Sequence, residues 1–230
     1  VDQIAAIVEG IARGCRNHGI ALAGGETAQM PGLYQPGTYD LAGTIIGVVE
    51  EDEAIHGQAI VPGDVLVGYA SSGLHTNGYT LARRVVFEKM KLTLDSLLGD
   101  TGQTVADALL AVHRSYVRSL TPVIRRVHGL AHITGGGIAG NLVRVLPDGC
   151  EAVVDPTSWT LPPLFAALQR GGDISVDEMR EVFNLGVGMI AVLPPGDVAA
   201  ARRAAGDAGV ETWPMGEIRR GSTGVRFARP

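Results

Sequence analysis

The sequence is short of cysteine, aromatic residues and positive charge, and each shortage removes a class of protein. Two cysteines in 230 residues, Cys15 and Cys150, supply neither a disulfide framework nor metal-ligand spacing. They fit a reduced, cytoplasmic protein. A net charge of −5 and a pI near 5.7 give no basic footprint, so neither nucleic acid nor an anionic membrane surface is an expected partner. No apolar run approaches the roughly 20 residues of a membrane span, and no signal peptide is visible. A Walker P-loop, a G-x-S-x-G elbow and His/Cys zinc spacing are all missing, as are repeats and low-complexity tracts. No residue is expected to ligate a metal.

What is plentiful is glycine. The 32 glycines are about double the usual share of roughly 7%. They fall in GG, GGG and GxG clusters at element ends, which favours tight turns and ligand-facing loops. With 46% hydrophobic and 19% charged residues the chain can bury a full core. One large domain, or a domain plus a piece of another, is the expectation.

The chain starts at Val1 rather than Met and is helical at once. Ile4, Ile7, Val8, Ile11 and Ala12 make an apolar stripe over a helix at 2–17. Val1 therefore reads as a cut in a longer protein, or its first ordered residue. Strands are expected at 20–23 and, buried and β-branched, at 39–50. The charged stretch 50–58, with Val61-Pro62-Gly63-Asp64, marks a domain boundary. Beyond it helices and strands alternate. Strands are read at 65–70, 130–133, 151–154, 187–193, 211–218 and 225–228. Helices are read at 80–91, 105–113, 116–127, 138–145, 162–169 and 198–208, and a capping box at Ser175-x-x-Glu178 opens another that runs to Val182. The fold class is α/β with α+β mixed layers. Residues 1–50 end a first α/β domain, and 60–230 form a complete second domain whose mixed sheet is flanked by helices.

Four glycine-rich stations each border a strand. Gly24-Gly25-Glu26-Thr27 fits a ligand loop whose carboxylate holds a metal or orients an amine. It fits equally a tight turn with a solvated glutamate. Ser71-Ser72-Gly73-Leu74-His75-Thr76-Asn77-Gly78-Tyr79 collects hydroxyls, amides and backbone N–H groups ahead of a helix, as an anion site does. His75 within it can donate to an anion or move a proton. Thr134-Gly135-Gly136-Gly137 opens a G-x-G-x-x-G pattern through Gly140, and Asp155 closes the next strand. That is the outline of a dinucleotide site and of a nicotinamide-dependent oxidoreductase. Against it, the intervening helix is short and the preceding strand does not begin a run of βαβ units. Asn184, beside Gly186 and Gly188, can read a polar substrate atom, or the glycines can simply let a strand pass a neighbour. The other histidines carry weaker signals. His132 reads as a core or supporting residue, His18, His56 and His128 as helix-end or loop residues, and His113-Arg114 as the solvated face of a helix.

Taken together, GGETAQMPGLY at 24–34, YDLAGTIIGVVE at 39–50 and SSGLHTNGYTLAR at 71–83 resemble the aminoimidazole ribonucleotide synthetases (phosphoribosylformylglycinamidine cyclo-ligases) of purine biosynthesis. HITGGG at 132–137, RVLPDG at 144–149 and FNLGVGMI at 183–190 continue the resemblance in order across essentially the whole chain. It implies an ATP- and Mg²⁺-dependent ligase that closes an imidazole ring on a nucleotide substrate. It further implies His75 and Glu26 as catalytic residues. Gly24, Gly25, Thr27, Ser71, Ser72, Gly73, Asn77, Gly78, Thr134, Gly135, Gly136, Gly137 and Asn184 are implied as substrate-binding. Glu26 and Thr27 would border a cleft between domains, and Thr134–Gly137 would line its other wall. The N-terminal third of the family pattern, which holds ATP and Mg²⁺ and through which the family forms homodimers, precedes the part matched here. A non-catalytic substrate-binding fragment is the alternative. Two departures stand out: Val112-His113-Arg114-Ser115-Tyr116 replaces a usual Pro-Thr-Arg-Ile-Tyr, and Gln29 replaces a frequent glutamate.

Overall fold

The computed structural model describes residues 2–35 and 37–228 and divides them into two units, one ending at Ala54 and the next beginning at Ile55. The first unit holds helix α1, Asp2–His18, with Asp2 in its first turn and Arg16 in its last complementing the helix dipole. The apolar stripe of α1 is exposed at Ile4, Val8 and Ile11. The expected strands at 20–23 and 39–50 do not form. Val48 is 96% exposed. A β-branched run becomes a strand only where a neighbour takes its backbone N–H and C=O groups. Among the described residues nothing pairs with it.

The second unit is built on a sheet. Its elements in chain order are β1 (Val65–Ala70), α2 (Tyr79–Arg83), α3 (Val105–Leu109), α4 (Val117–Leu120), β2 (Gly129–His132), α5 (Gly137–Leu142), β3 (Cys150–Val154) and α6 (Pro163–Gly172). They continue with α7 (Val176–Val182), β4 (Val187–Leu193), α8 (Val198–Asp207), β5 (Thr212–Arg220) and β6 (Gly224–Phe227). The six strands lie in the order β2-β4-β1-β5-β3-β6, all antiparallel pairs except β3 with β6. This is the mixed α/β sheet that the sequence led us to expect.

Alternation along the central strands divides the core between the two faces of the sheet. Leu66, Val187, Ile190 and Val192 face one way, with Ile138 and Leu142 of α5 against them. Val67, Tyr69, Ala191 and Leu193 face the other, covered by Leu120 of α4 and by Ala201 and Ala205 of α8. Both faces are buried, so β4 reads as a continuous apolar run. A third cluster joins Val85, Val86, Leu98, Phe165, Leu168 and Phe183 among the helices.

Local chemistry sets the element ends. Ser175 Oγ accepts the Glu178 N–H at the start of α7, as its capping box predicts. Thr104 caps α3 through the Asp107 N–H. The helix expected at 80–91 is α2 continued by a π-helical turn, Arg84–Lys89. The expected helix at 105–113 is shorter, because residues 111–116 follow a non-helical path, and that at 116–127 is α4 continued by a 3₁₀ stretch, Thr121–Arg126. That path matters for the site.

Candidate functional site

The loop that leaves β1 carries the second glycine-rich station and is folded back by its own polar groups. Ser71 Oγ donates to Asn184 Oδ1 at 3.0 Å, and Ser72 Oγ donates to the Val112 carbonyl at 2.7 Å. Gly78 has φ 81°, and a Cβ there would lie 2.6 Å from the Phe183 ring, so this turn has room for glycine alone. His75 sits at the tightest point with φ 59°, a left-handed conformation uncommon outside glycine, asparagine and aspartate.

His75 is only 4% exposed. Its Nε2 accepts the Ser72 N–H at 3.1 Å, its carbonyl accepts the Tyr79 hydroxyl at 3.0 Å, and its buried Nδ1 has no partner. Its ring stacks on His113, with centroids 3.9 Å apart. Burial, reinforced by the neighbouring His113, His132 and Arg114, pushes its pKa down to about 3. At neutral pH His75 is therefore an uncharged imidazole. Because Nε2 is the acceptor, its proton lies on Nδ1.

The third and fourth stations join the same assembly. Asn141, which is buried, donates through Nδ2 to the carbonyls of Thr134, Gly135 and Gly137 and accepts the Thr134 hydroxyl at 2.9 Å. The Gly136 N–H donates to the Glu181 carbonyl at 3.0 Å. A Cβ on Gly135 would lie 3.7 Å from Asn77 Oδ1, so the loop after β1 and the turn after β2 are neighbours. Asn184 Oδ1 accepts from Ser71 and from the Gly186 N–H, and its Nδ2 donates to the Gly73 carbonyl at 2.8 Å. This amide is a clamp between two loops. Asn184→Ala leaves the Gly73 carbonyl and the Gly186 N–H unpaired, and we expect a loss of about 2 kcal/mol, read as a lower urea midpoint. An unchanged midpoint would remove the clamp role.

The Gly24, Gly25, Glu26 and Thr27 station belongs to the first unit, where all four residues are exposed and irregular. The structure thus brings Ser71, Ser72, Gly73, His75, Asn77, Gly78, Thr134, Gly135, Gly136, Gly137 and Asn184 into one region of the second unit.

Several residues were misread or missed in the sequence. His132 is not a core residue: it ends β2 on an exposed position. His113 and Arg114 lie on the non-helical path before α4, with His113 against His75. Arg114 lines a 560 Å³ cavity with Ser71, Trp159, Thr160, Glu211 and Trp213. Reading 105–113 and 116–127 as helices concealed this turn inward. Tyr116 donates its hydroxyl to the Ala70 carbonyl at 3.0 Å, and burial raises its pKa, so it remains a donor. Asn141 was legible only as one more polar residue after a glycine run.

The dinucleotide outline does not survive the topology. Among the described residues β2 pairs only with β4, antiparallel, and β3 lies four positions away across the sheet, so no βαβ unit joins them. Asp155 spends its carboxylate on the N–H and hydroxyl of Thr157, which hold it below the usual carboxylate pKa.

Similar proteins agree on one family. A family model for the C-terminal domain of AIR synthase related proteins matches residues 61–228, and one for the N-terminal domain matches 1–49. The phosphoribosylformylglycinamidine cyclo-ligase of Sorangium cellulosum strain So ce56 is 49% identical over 222 residues, covering 95% of this chain and 64% of that relative. That of Geobacter sulfurreducens is 54% identical over 192 residues, covering 83% and 55%. The chain thus spans between half and two thirds of the length of these relatives. Among solved structures, thiamine-monophosphate kinase from Stenotrophomonas maltophilia K279a aligns with TM-score 0.54 at 18% identity, over 78% of this chain and 54% of that one. A hydrogenase maturation protein HypE aligns with TM-score 0.50, also at 18%, over 78% and 54%. These two share the fold.

Proposed function

The chain belongs to the AIR synthase related protein family, and from that premise we propose that it serves ATP-dependent closure of the imidazole ring of aminoimidazole ribonucleotide. In this reaction ATP phosphorylates the formyl amide oxygen of formylglycinamidine ribonucleotide. An amidine nitrogen then attacks the activated carbon and loses a proton. The new C–N bond forms as the bond to the phosphorylated oxygen breaks, and ADP and phosphate are released. Such chemistry needs no protein nucleophile. It needs donors for anionic oxygens and a pocket that holds nitrogen against carbon.

The observation that carries the reading is the merging of the loop after β1, the turn at Thr134–Gly137 and Asn184 into one assembly, with Ser71 and Arg114 on its cavity. Arg114, beside Ser71 on the cavity, holds an anionic group of the substrate. Neutral His75 acts as a hydrogen-bond donor rather than a cation. Glu26, Thr27, Gly24 and Gly25 are assigned a substrate role within the first unit. Mg²⁺ takes oxygen ligands, and the cavity of the second unit offers hydroxyls, indoles, a guanidinium and one carboxylate, Glu211, so it does not fit there. ATP and Mg²⁺ belong with the part of the family pattern that precedes the segment matched here. A cytoplasmic homodimer is part of the same proposal.

A second reading is substrate binding by these 230 residues without turnover. Two measurements separate the readings: ADP release dependent on formylglycinamidine ribonucleotide, and calorimetry with that nucleotide alone. Substrate-dependent ADP release supports the ligase. Binding without ADP release supports the second reading, and neither signal overturns both. Where the nucleotide binds, Arg114→Ala weakens binding about tenfold or more, the scale of one hydrogen bond to a charged group.

A further inference from the structure

Three histidines from separate parts of the second unit converge beside the loop that follows β1. His75 comes from that loop, His113 from the non-helical path before α4, and His132 from the end of β2. One ring nitrogen from each lies within 4.8 Å of the other two. The His75 and His113 rings stack, and the His113 and His132 centroids are 5.3 Å apart. The Nδ1 of His75 is buried without a partner. His113 and His132 line a second cavity, of 440 Å³, together with Tyr116, Thr121, Ile124 and Met189.

This arrangement is unusual as plain packing. Polar side chains taken from water are ordinarily given hydrogen-bond partners. Here the buried Nδ1 of His75 is left without a partner beside two further imidazoles. A shared ligand that accepts electron pairs resolves the mismatch. We propose that His75, His113 and His132 form a binding site for a late first-row divalent cation, with zinc as the type case.

The donor set selects the cation class. Imidazole suits zinc, nickel, copper and cobalt, whereas magnesium and calcium take oxygen. Three histidines with an open fourth position are a known zinc arrangement, and the 440 Å³ cavity leaves room for a water there. In a tetrahedral site with Zn–N near 2.1 Å the ligating nitrogens stand roughly 3.4 Å apart. Separations of up to 4.8 Å would therefore tighten by rotation of the partly exposed His113 and the exposed His132 about the buried His75. To enter as third ligand, His75 gives up either its Nδ1 proton or the Ser72 N–H contact at Nε2. His113 and His132 are the ready pair.

The site shares His75 with the proposed reaction, but its test reads cation binding alone. The 230-residue chain is titrated with Zn²⁺ and with Ni²⁺ in a buffer that does not coordinate them, and Mg²⁺ serves as control. We expect one Zn²⁺ per chain, no heat with Mg²⁺, and visible d–d bands when Co²⁺ is used as a spectroscopic substitute. His113→Ala and His132→Ala each weaken Zn²⁺ binding at least tenfold with melting temperature nearly unchanged. The combined substitution of His18, His56 and His128 leaves binding intact. Absence of Zn²⁺ binding, or binding that survives both single substitutions, overturns the site. Binding abolished instead by the combined control variant does so equally.

Discussion

Gly137→Ala destabilises the second unit by about 3 kcal/mol or more, whereas Gly136→Ala costs only about 1 kcal/mol and Gly140→Ala is near neutral. The three glycines belong to one motif, and their surroundings separate them. Gly137 has φ 61°, and an added Cβ would stand 1.8 Å from the Arg180 carbonyl oxygen and 2.9 Å from its carbon. That neighbour is backbone of α7, so no side-chain rotation relieves the clash. Gly136 also has positive φ, at 93°, but its nearest neighbour would be 3.6 Å away, leaving the conformational penalty alone. Gly140 lies in α5 with nothing within 4 Å. Urea unfolding of the three variants checks the order. Equal losses at Gly136 and Gly137 would mean that backbone conformation, rather than the close passage of α5 against α7, sets the requirement.

Acid unfolds this protein through His75. Its imidazole has a pKa of about 3 in the folded state and near 6.5 when unfolded, so between those values the unfolded chain binds the extra proton. The stability that neutral His75 allows is complete above pH 6.5 and falls as pH drops toward 3. The slope is about 1.4 kcal/mol per pH unit, which amounts to a loss on the order of 3 kcal/mol by pH 4. Lowered by burial and by His132, the His113 pKa adds a loss of the same sign. The groups around His75 give a new proton no anion: His113, His132 and Arg114 oppose it, and the Ser72 N–H points at Nε2. His75→Asn removes the titration while keeping a residue type that tolerates φ 59°. Urea midpoints of wild type and variant between pH 7 and 4 should diverge, with the variant flatter. Parallel curves would assign the acid loss to other groups.

How much of this was legible depends on whether a signal is local. β4 is an unbroken β-branched and apolar run, and Ser175-Val176-Asp177-Glu178 is a cap written in four residues. Each is read correctly because its cause lies within the segment. The run at 39–50 is as strand-like as β4, yet is irregular here, because a strand is completed by a neighbour that no composition can supply. G-x-G-x-x-G misleads in the opposite direction. The spacing is real, but Gly137 is there to pass the Arg180 carbonyl, and Asp155 binds its own turn. Asn184 is similar: as an isolated amide it reads as a substrate contact, while in the fold most of its hydrogen bonds go to Ser71, Gly73 and Gly186.

The sequence by itself determined the family, the alternating α/β order of the second unit and the loops that carry its polar groups. Those follow from local patterns and from motif order along the chain. Only the tertiary structure decided what those loops do to one another. Folding buries His75 among other histidines, turns Arg114 into a cavity and ties Asn184 across two loops. These outcomes depend on desolvation and on distances between residues far apart in sequence, such as 75, 113 and 132. Linear spacing carries no information about either quantity.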